Sequence, residues 1–223
     1  MNYEKLEYYL SKPRLERFLI ATGNSKSKAI ELYNLNLIVS QSFYPILNLF
    51  EISLRNIVYY QISKFFKNPD WIITEKNGFM SDTSLKPSKF FLKNSVIKAE
   101  KSIKQENISV GKIIAEQSFG FWTSLFDTHH YKLIGGCVIK SFPNKPRNTN
   151  RKLISSKLNK IRKFRNRIYH NEPICFNGSS IDFSNALFIK NEIYELLSWV
   201  DNDLKKYIYN FDDIDSKIKS NLF

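Results

Sequence analysis

The chain holds three histidines, and one of them, His170, closes the basic run Arg162-Lys163-Phe164-Arg165-Asn166-Arg167-Ile168-Tyr169-His170. On a helix, Asn166 and His170 are four residues apart and share a face. Arg165 lies about 140° around the axis from His170, within the swing of a long side chain. An imidazole, an amide and a permanent cation are thereby grouped. Histidine changes charge nearest to neutral pH and suits general acid–base work. A guanidinium stabilises charge building on a phosphorane, and an amide orients either the imidazole or the phosphate. RNA carries its own nucleophile, the 2′-hydroxyl. Arg165, Asn166 and His170 are therefore candidate catalytic residues for cleaving an RNA phosphodiester. Transphosphorylation gains from both a base and an acid, and a two-fold dimer sharing one His170 per subunit in a cleft supplies both. The same string also reads as a basic helix with an end-capping histidine and no catalysis.

Other chemistries find little support. His129 and His130 are sequence neighbours that point about 100° apart on a helix, so they do not readily share a metal. No H-E-x-x-H motif, Cys/His cluster or paired-aspartate motif accompanies them, and no metal or other cofactor is expected. Gly135-Gly136 lacks the Lys-Ser or Lys-Thr of a phosphate-binding loop. Cys137 and Cys175 are isolated, as in a reducing compartment.

The formal net charge is +13 and the sequence pI is near 9.6, which attracts polyanions. A lysine-rich composition drift accounts for the total equally well, so the distribution decides. Thr128 through Asn171 contains no Asp or Glu. Within it, Arg151, Lys152, Lys157, Lys160, Arg162, Lys163 and Arg167 are candidate RNA-binding residues. A surface helix normally mixes signs, because opposite charges at i,i+4 stabilise it. Forgoing that support points to a partner that supplies negative charge, and phosphates suit it. Tyr131, Phe142, Phe164 and Tyr169 lie in the same span as core or as stacking rings.

The elements that must position these residues are read from periodicity and punctuation. Only seven glycines and seven prolines interrupt a chain rich in Phe, Tyr, Ile and Leu, which favours long helices in one all-α domain over residues 1–223. Ser11 and Pro13 open a helix that stops near Gly23-Asn24. From Ser25, Ile30, Tyr33, Leu37 and Ile38 recur at helical spacing, and Pro45 is expected to kink or split this segment before it continues to Phe65-Phe66. Residues 67–88 read as an irregular insertion with Trp71 tucked onto the core. A polar helix follows over 88–106, then a short helix capped by Ser109, then a core-packing aromatic cluster over 119–126. Thr149 to His170 is a helix ended by Pro173, 177–180 is a loop, and a long amphipathic helix begins at Ile181. No N-terminal signal pattern is present, and the apolar stretches Leu35–Ser42 and Phe43–Ile52 are too short and polar to span a bilayer, so a cytoplasmic protein without a membrane partner is expected.

Three segments together resemble the Abi-like (abortive-infection) family of the HEPN superfamily. Arg165-Asn166-Arg167-Ile168-Tyr169-His170 matches the short form of its R-x4–6-H signature, and Asn171-Glu172-Pro173-Ile174 is similar to the family's H-(H/N)-E-P-I ending. Leu32-Tyr33-Asn34-Leu35-Asn36 with Phe50-Glu51-Ile52-Ser53-Leu54-Arg55-Asn56 resembles its upstream E-x3-R-N helix. Ser118-Phe119-Gly120-Phe121-Trp122 with Leu125-Phe126 resembles its aromatic motif. The resemblance covers about residues 10–199. It implies a HEPN-type helical bundle with additional helices and, as a rule, a homodimer. It also implies metal-independent RNA cleavage with His170 as acid/base and Arg165 on the phosphate. The implied role is phage defence or the toxin of a toxin–antitoxin pair, restrained by an antitoxin or a structured noncoding RNA. A non-catalytic RNA-binding protein is the alternative.

Glu51 and Arg55 are spaced i,i+4 in an otherwise apolar helix, where burying a charge pair requires good geometry. The expectation is a support role, with Glu51 holding Arg55 while Arg55 or Asn56 faces the Arg165–His170 region. A purely structural ion pair fits the spacing equally.

Overall fold

Asn2 caps the first helix, α1 (Tyr3–Leu10), by accepting from the Lys5 amide at 3.0 Å. In the computed structural model, which describes residues 1–221, α2 (Lys12–Ala21) follows at once. Ser11 does not cap it through its side chain, contrary to the sequence reading. Pro13 in the first turn starts the helix instead, because its ring presets a helical φ.

α3 (Lys26–Phe66) is one continuous helix of 41 residues, so Pro45 does not split it. Proline removes only the amide that would serve Gln41, and Gln41 is exposed, so water can pair its carbonyl. As one helix, α3 is long and apolar enough by length and composition to cross a membrane, which corrects the reading of two short stretches. In the fold it is the central core helix. Phe43, Ile46, Phe50, Leu54 and Val58 are all buried along it, and α2 lies against it.

The segment read as irregular holds α4 (Trp71–Thr74) and short 3-10 turns at Phe79–Ser81 and Thr83–Ser88. Trp71 is fully buried, edge-on to Trp122 with ring centroids 6.5 Å apart. Next come α5 (Phe91–Ser102), α6 (Val110–Glu116), α7 (Phe119–Ser124) and α8 (Thr128–Leu133). Ser109 caps α6, and the aromatic cluster of α7 is core, with Phe119, Phe121, Trp122 and Phe126 buried.

α9 (Arg151–Tyr169) carries the candidate residues, and α10 (Ser184–Val200) packs beside it. Between them, the stretch read as a loop is a hairpin of β1 (Phe176–Asn177) and β2 (Ser180–Ile181), paired Phe176 to Ile181 and Asn177 to Ser180. Its tight turn works because Gly178 takes a φ of +59° without a Cβ penalty. Two further helices, α11 (Asn202–Tyr209) and α12 (Ile214–Asn221), fold back onto α3. The chain is mostly helical, as its composition implied.

A buried ion pair joins α9 to α10. The Lys157 ammonium lies 2.5 Å from Glu192 and 2.7 Å from Glu195, and both Lys157 and Glu192 are buried. Lys157 is thus a core strut and not an RNA-facing residue, which corrects that assignment. Removing one partner strands the other's charge, so Lys157→Ala should cost about 3–5 kcal/mol in urea unfolding. The double change Lys157→Met with Glu192→Leu should leave stability near or above the original value. Equal losses in both proteins would contradict this account.

Candidate functional site

α9 is built to end where it does. Asn150 caps its start by accepting from the Leu153 amide at 3.0 Å. Ile154, Leu158, Ile161 and Phe164 bury one stripe, and the Phe164 ring meets Phe43 of α3 edge-on at 4.8 Å. At the other end the Asn171 amide donates to Ile168 at 3.0 Å and the Glu172 amide to Arg167 at 2.8 Å. Asn171 has a φ of +56°. This is a Schellman C-cap with asparagine in the left-handed position, a conformation that asparagine tolerates better than most residues.

The segment beyond the cap is pinned from three sides. The Arg14 guanidinium donates to the Asn171 carbonyl at 2.9 Å, and Arg167 donates to the Pro173 carbonyl. Buried Asn36 of α3 accepts from the Ile174 amide at 2.8 Å. The backbone under His170 is therefore fixed, while its side chain is exposed. Neither Arg14 nor Asn36 was singled out as a site residue from sequence, although Asn36 lies inside the upstream segment of the resemblance.

Arg165 and Asn166 are brought together, with a guanidinium nitrogen donating to Asn166 Oδ1 at 3.5 Å. Arg165 also stacks over the Tyr169 ring at 3.9 Å, and its Nε lies 3.5 Å from Glu51. Glu51 therefore engages Arg165 directly; it does not hold Arg55 as expected. Arg55 Nε is buried without a hydrogen-bond partner, and Asn56 is exposed. The register explains the correction. Glu51 points from α3 toward α9, and the cation it meets comes from the neighbouring helix. Burial raises the Glu51 pKa, while the charges of Arg165 and Arg55 pull it down. The imidazole of His170 makes no hydrogen bond among the described residues and is not joined to Arg165 or Asn166.

The basic face is narrower than its sequence suggests. Besides Lys157, Arg151 donates to the Phe126 carbonyl at 2.9 Å and Arg162 sits half-buried beside Gly120. Arg167 pairs with Glu172 at 3.4 Å. Lys160 lies over the Phe188 ring at 4.8 Å and 3.9 Å from Glu192. Lys152, Lys160 and Lys163 remain exposed. Acids from outside the acid-free span thus supply part of the missing negative charge. Of the aromatic rings, Phe142 and Phe164 are core, Tyr131 is half-buried and Tyr169 is 44% exposed.

Tyr169 and Asn171, the neighbours of His170, line an open groove of about 980 Å³ together with Tyr44, Pro45, Phe211 and Lys217. His130 takes no part. It is a core imidazole: it is buried, its Nδ1 lies 2.9 Å from the Ser124 carbonyl, and burial lowers its pKa. His129 is exposed. Among the described residues no three His, Cys, Asp or Glu side chains gather as metal ligands.

Two outcomes follow from this geometry. Asn36→Ala strands the buried Ile174 amide and should cost about 1–3 kcal/mol in urea unfolding, with a small effect refuting the pin. Because the Glu51 pKa is raised, the folded chain holds that proton more tightly than the unfolded chain. Its contribution is complete in acid and lost as pH rises through the raised pKa. The Tm of the native protein minus that of Glu51→Gln should then fall as pH rises above the ordinary carboxylate range, and a flat difference would refute the burial. Comparison with protein-family models, curated proteins and solved structures finds no match to this chain, so its functional reading stands on these residues and their geometry.

Proposed function

We propose that this chain binds RNA and cleaves it as a metal-independent endoribonuclease of HEPN type, in a HEPN-like bundle with additional helices. The observation that carries the reading is the end of α9, where His170 stands exposed on a fixed C-cap and Arg165, in the last turns of the same helix, is held by Glu51 and Tyr169. The acid-free span from Thr128 to Asn171 and the exposed Lys152, Lys160 and Lys163 favour a polyanionic partner.

In this mechanism an RNA 2′-hydroxyl attacks the adjacent phosphorus and the 5′-oxygen leaves. The products are a 2′,3′-cyclic phosphate and a free 5′-hydroxyl. His170 moves the proton at one of the two oxygens, Arg165 stabilises the phosphorane charge, and Asn166 orients Arg165 or the phosphate. A homodimer brings the second imidazole. Growth arrest in phage defence, or toxin action restrained by an antitoxin protein or RNA, is the biological role that fits such an activity, with the protein acting in the cytoplasm.

A second reading has its own observation. The Arg165 guanidinium is already engaged by Glu51, Tyr169 and Asn166, as suits a protein that binds a structured noncoding RNA without turnover.

Cleavage of labelled RNA separates the two. His170→Ala should lower the rate by about 10²–10⁴ while RNA affinity stays nearly unchanged, and EDTA should have no effect. Full activity in His170→Ala overturns the catalytic reading. Tight, salt-sensitive binding with no cleavage by the native chain establishes the second one instead.

A further inference from the structure

On the side of α9 away from Glu51, a recess of about 670 Å³ is lined by Arg17, Arg167, Asn177, Ser184, Asn185 and Phe188. Its two arginines come from helices far apart in sequence, α2 and α9, and both are held in place. Arg17 lies flat over the Phe176 ring at 4.3 Å and donates to the Gly178 carbonyl at 2.7 Å. Arg167 donates to the Pro173 carbonyl and pairs with Glu172 at 3.4 Å. Each guanidinium has five N–H donors, so both keep donors to spare. They converge on one place, since both line this recess, and the charges of both oppose the rise that burial imposes on the Cys175 thiol behind it.

The remaining walls are polar on one side and aromatic on the other. Ser184 and Asn185 are exposed, and Phe188 is 43% exposed with the Lys160 ammonium 4.8 Å from its ring centre. Two carboxylates oppose an anion here. Asp182 is tied up by the Ser184 amide and hydroxyl and by Asn177, while Glu172, more than half exposed, is already paired with Arg167. Arg17, Arg167 and Lys160 outnumber them. Paired, pre-oriented guanidiniums suit the oxygens of a phosphate, and an exposed ring beside them suits a flat base.

We infer that this recess binds a nucleotide, its phosphate on Arg17 and Arg167 and its base against Phe188. The site goes beyond the cleavage reading, since it needs neither His170 nor turnover. A free mononucleotide and one unit of an RNA strand present the same chemistry, and the experiment separates them.

Titration calorimetry on the full chain with 5′-AMP, with adenosine and with a 2′-O-methyl hexaribonucleotide that cannot be cleaved tests the site. The variants are Arg17→Ala, which removes one guanidinium, and Asn185→Glu, which adds a repelling charge at an exposed side chain without a described hydrogen bond. Each should weaken phosphate-bearing ligands by about ten-fold or more, as expected for loss of a charge-assisted contact. Adenosine should bind at least as weakly as AMP does to the variants. Loss of AMP binding in the variants identifies a free-nucleotide site, and a loss confined to the hexamer identifies an RNA subsite. Both outcomes support the proposal. Should Arg17→Ala fail to fold, Asn185→Glu decides alone. Unchanged affinity of both AMP and the hexamer for Asn185→Glu overturns it. Retention of AMP or hexamer binding by His170→Ala keeps this result separate from the fate of the catalytic reading.

Discussion

Burial of the apolar side chains of α3 is the constraint from which the rest of the molecule follows. A helix of 41 residues that hides Phe43, Phe50 and Val58 at once must be wrapped, and α1, α2, α4, α7, α11 and α12 all pack against it. The wrapping sets where α9 lies, through Phe43 against Phe164. It sets the far side of the C-cap too, through Asn36 on the Ile174 amide. A polar side chain buried that deeply is retained because the backbone donor it satisfies would otherwise be stranded. The position of His170 is thus a consequence of core packing some distance from it.

Charge shows the same dependence on assembly. The acid-free span would leave α9 strongly self-repelling as an isolated helix. In the fold, Glu192 and Glu195 neutralise Lys157 from α10, Glu51 reaches Arg165 from α3, and Glu172 turns back to Arg167. What remains exposed is a smaller basic surface around Lys152, Lys160 and Lys163. The division is physically meaningful: buried cations hold helices together, and exposed ones are available to a polyanion.

Several readings from periodicity held because local rules govern them. The helix read over Thr149–His170 forms as Arg151–Tyr169, and the aromatic core at Phe119–Phe126 and the burial of Trp71 were likewise read from spacing and composition. Pro45 misled because the cost of a proline depends on whether the orphaned carbonyl can reach water, and Gln41 can. The hairpin at Phe176–Ile181 was missed because two-residue strands carry no alternation to detect. α1, α11 and α12 are short, and their apolar faces make sense only against α3.

By itself, the order of residues determined a mostly helical chain, a long basic helix, and an Arg-Asn-x3-His string at that helix's C-terminal end, because helix periodicity and capping act over a few residues. Which acid meets which cation was decided only in three dimensions. Glu51 meets Arg165 and not Arg55, Lys157 becomes a core strut, and Arg17 and Arg167 come to face one recess. Coulombic and stacking partners are chosen by proximity between helices, and proximity across 100 or more residues is a property of packing that no local spacing contains.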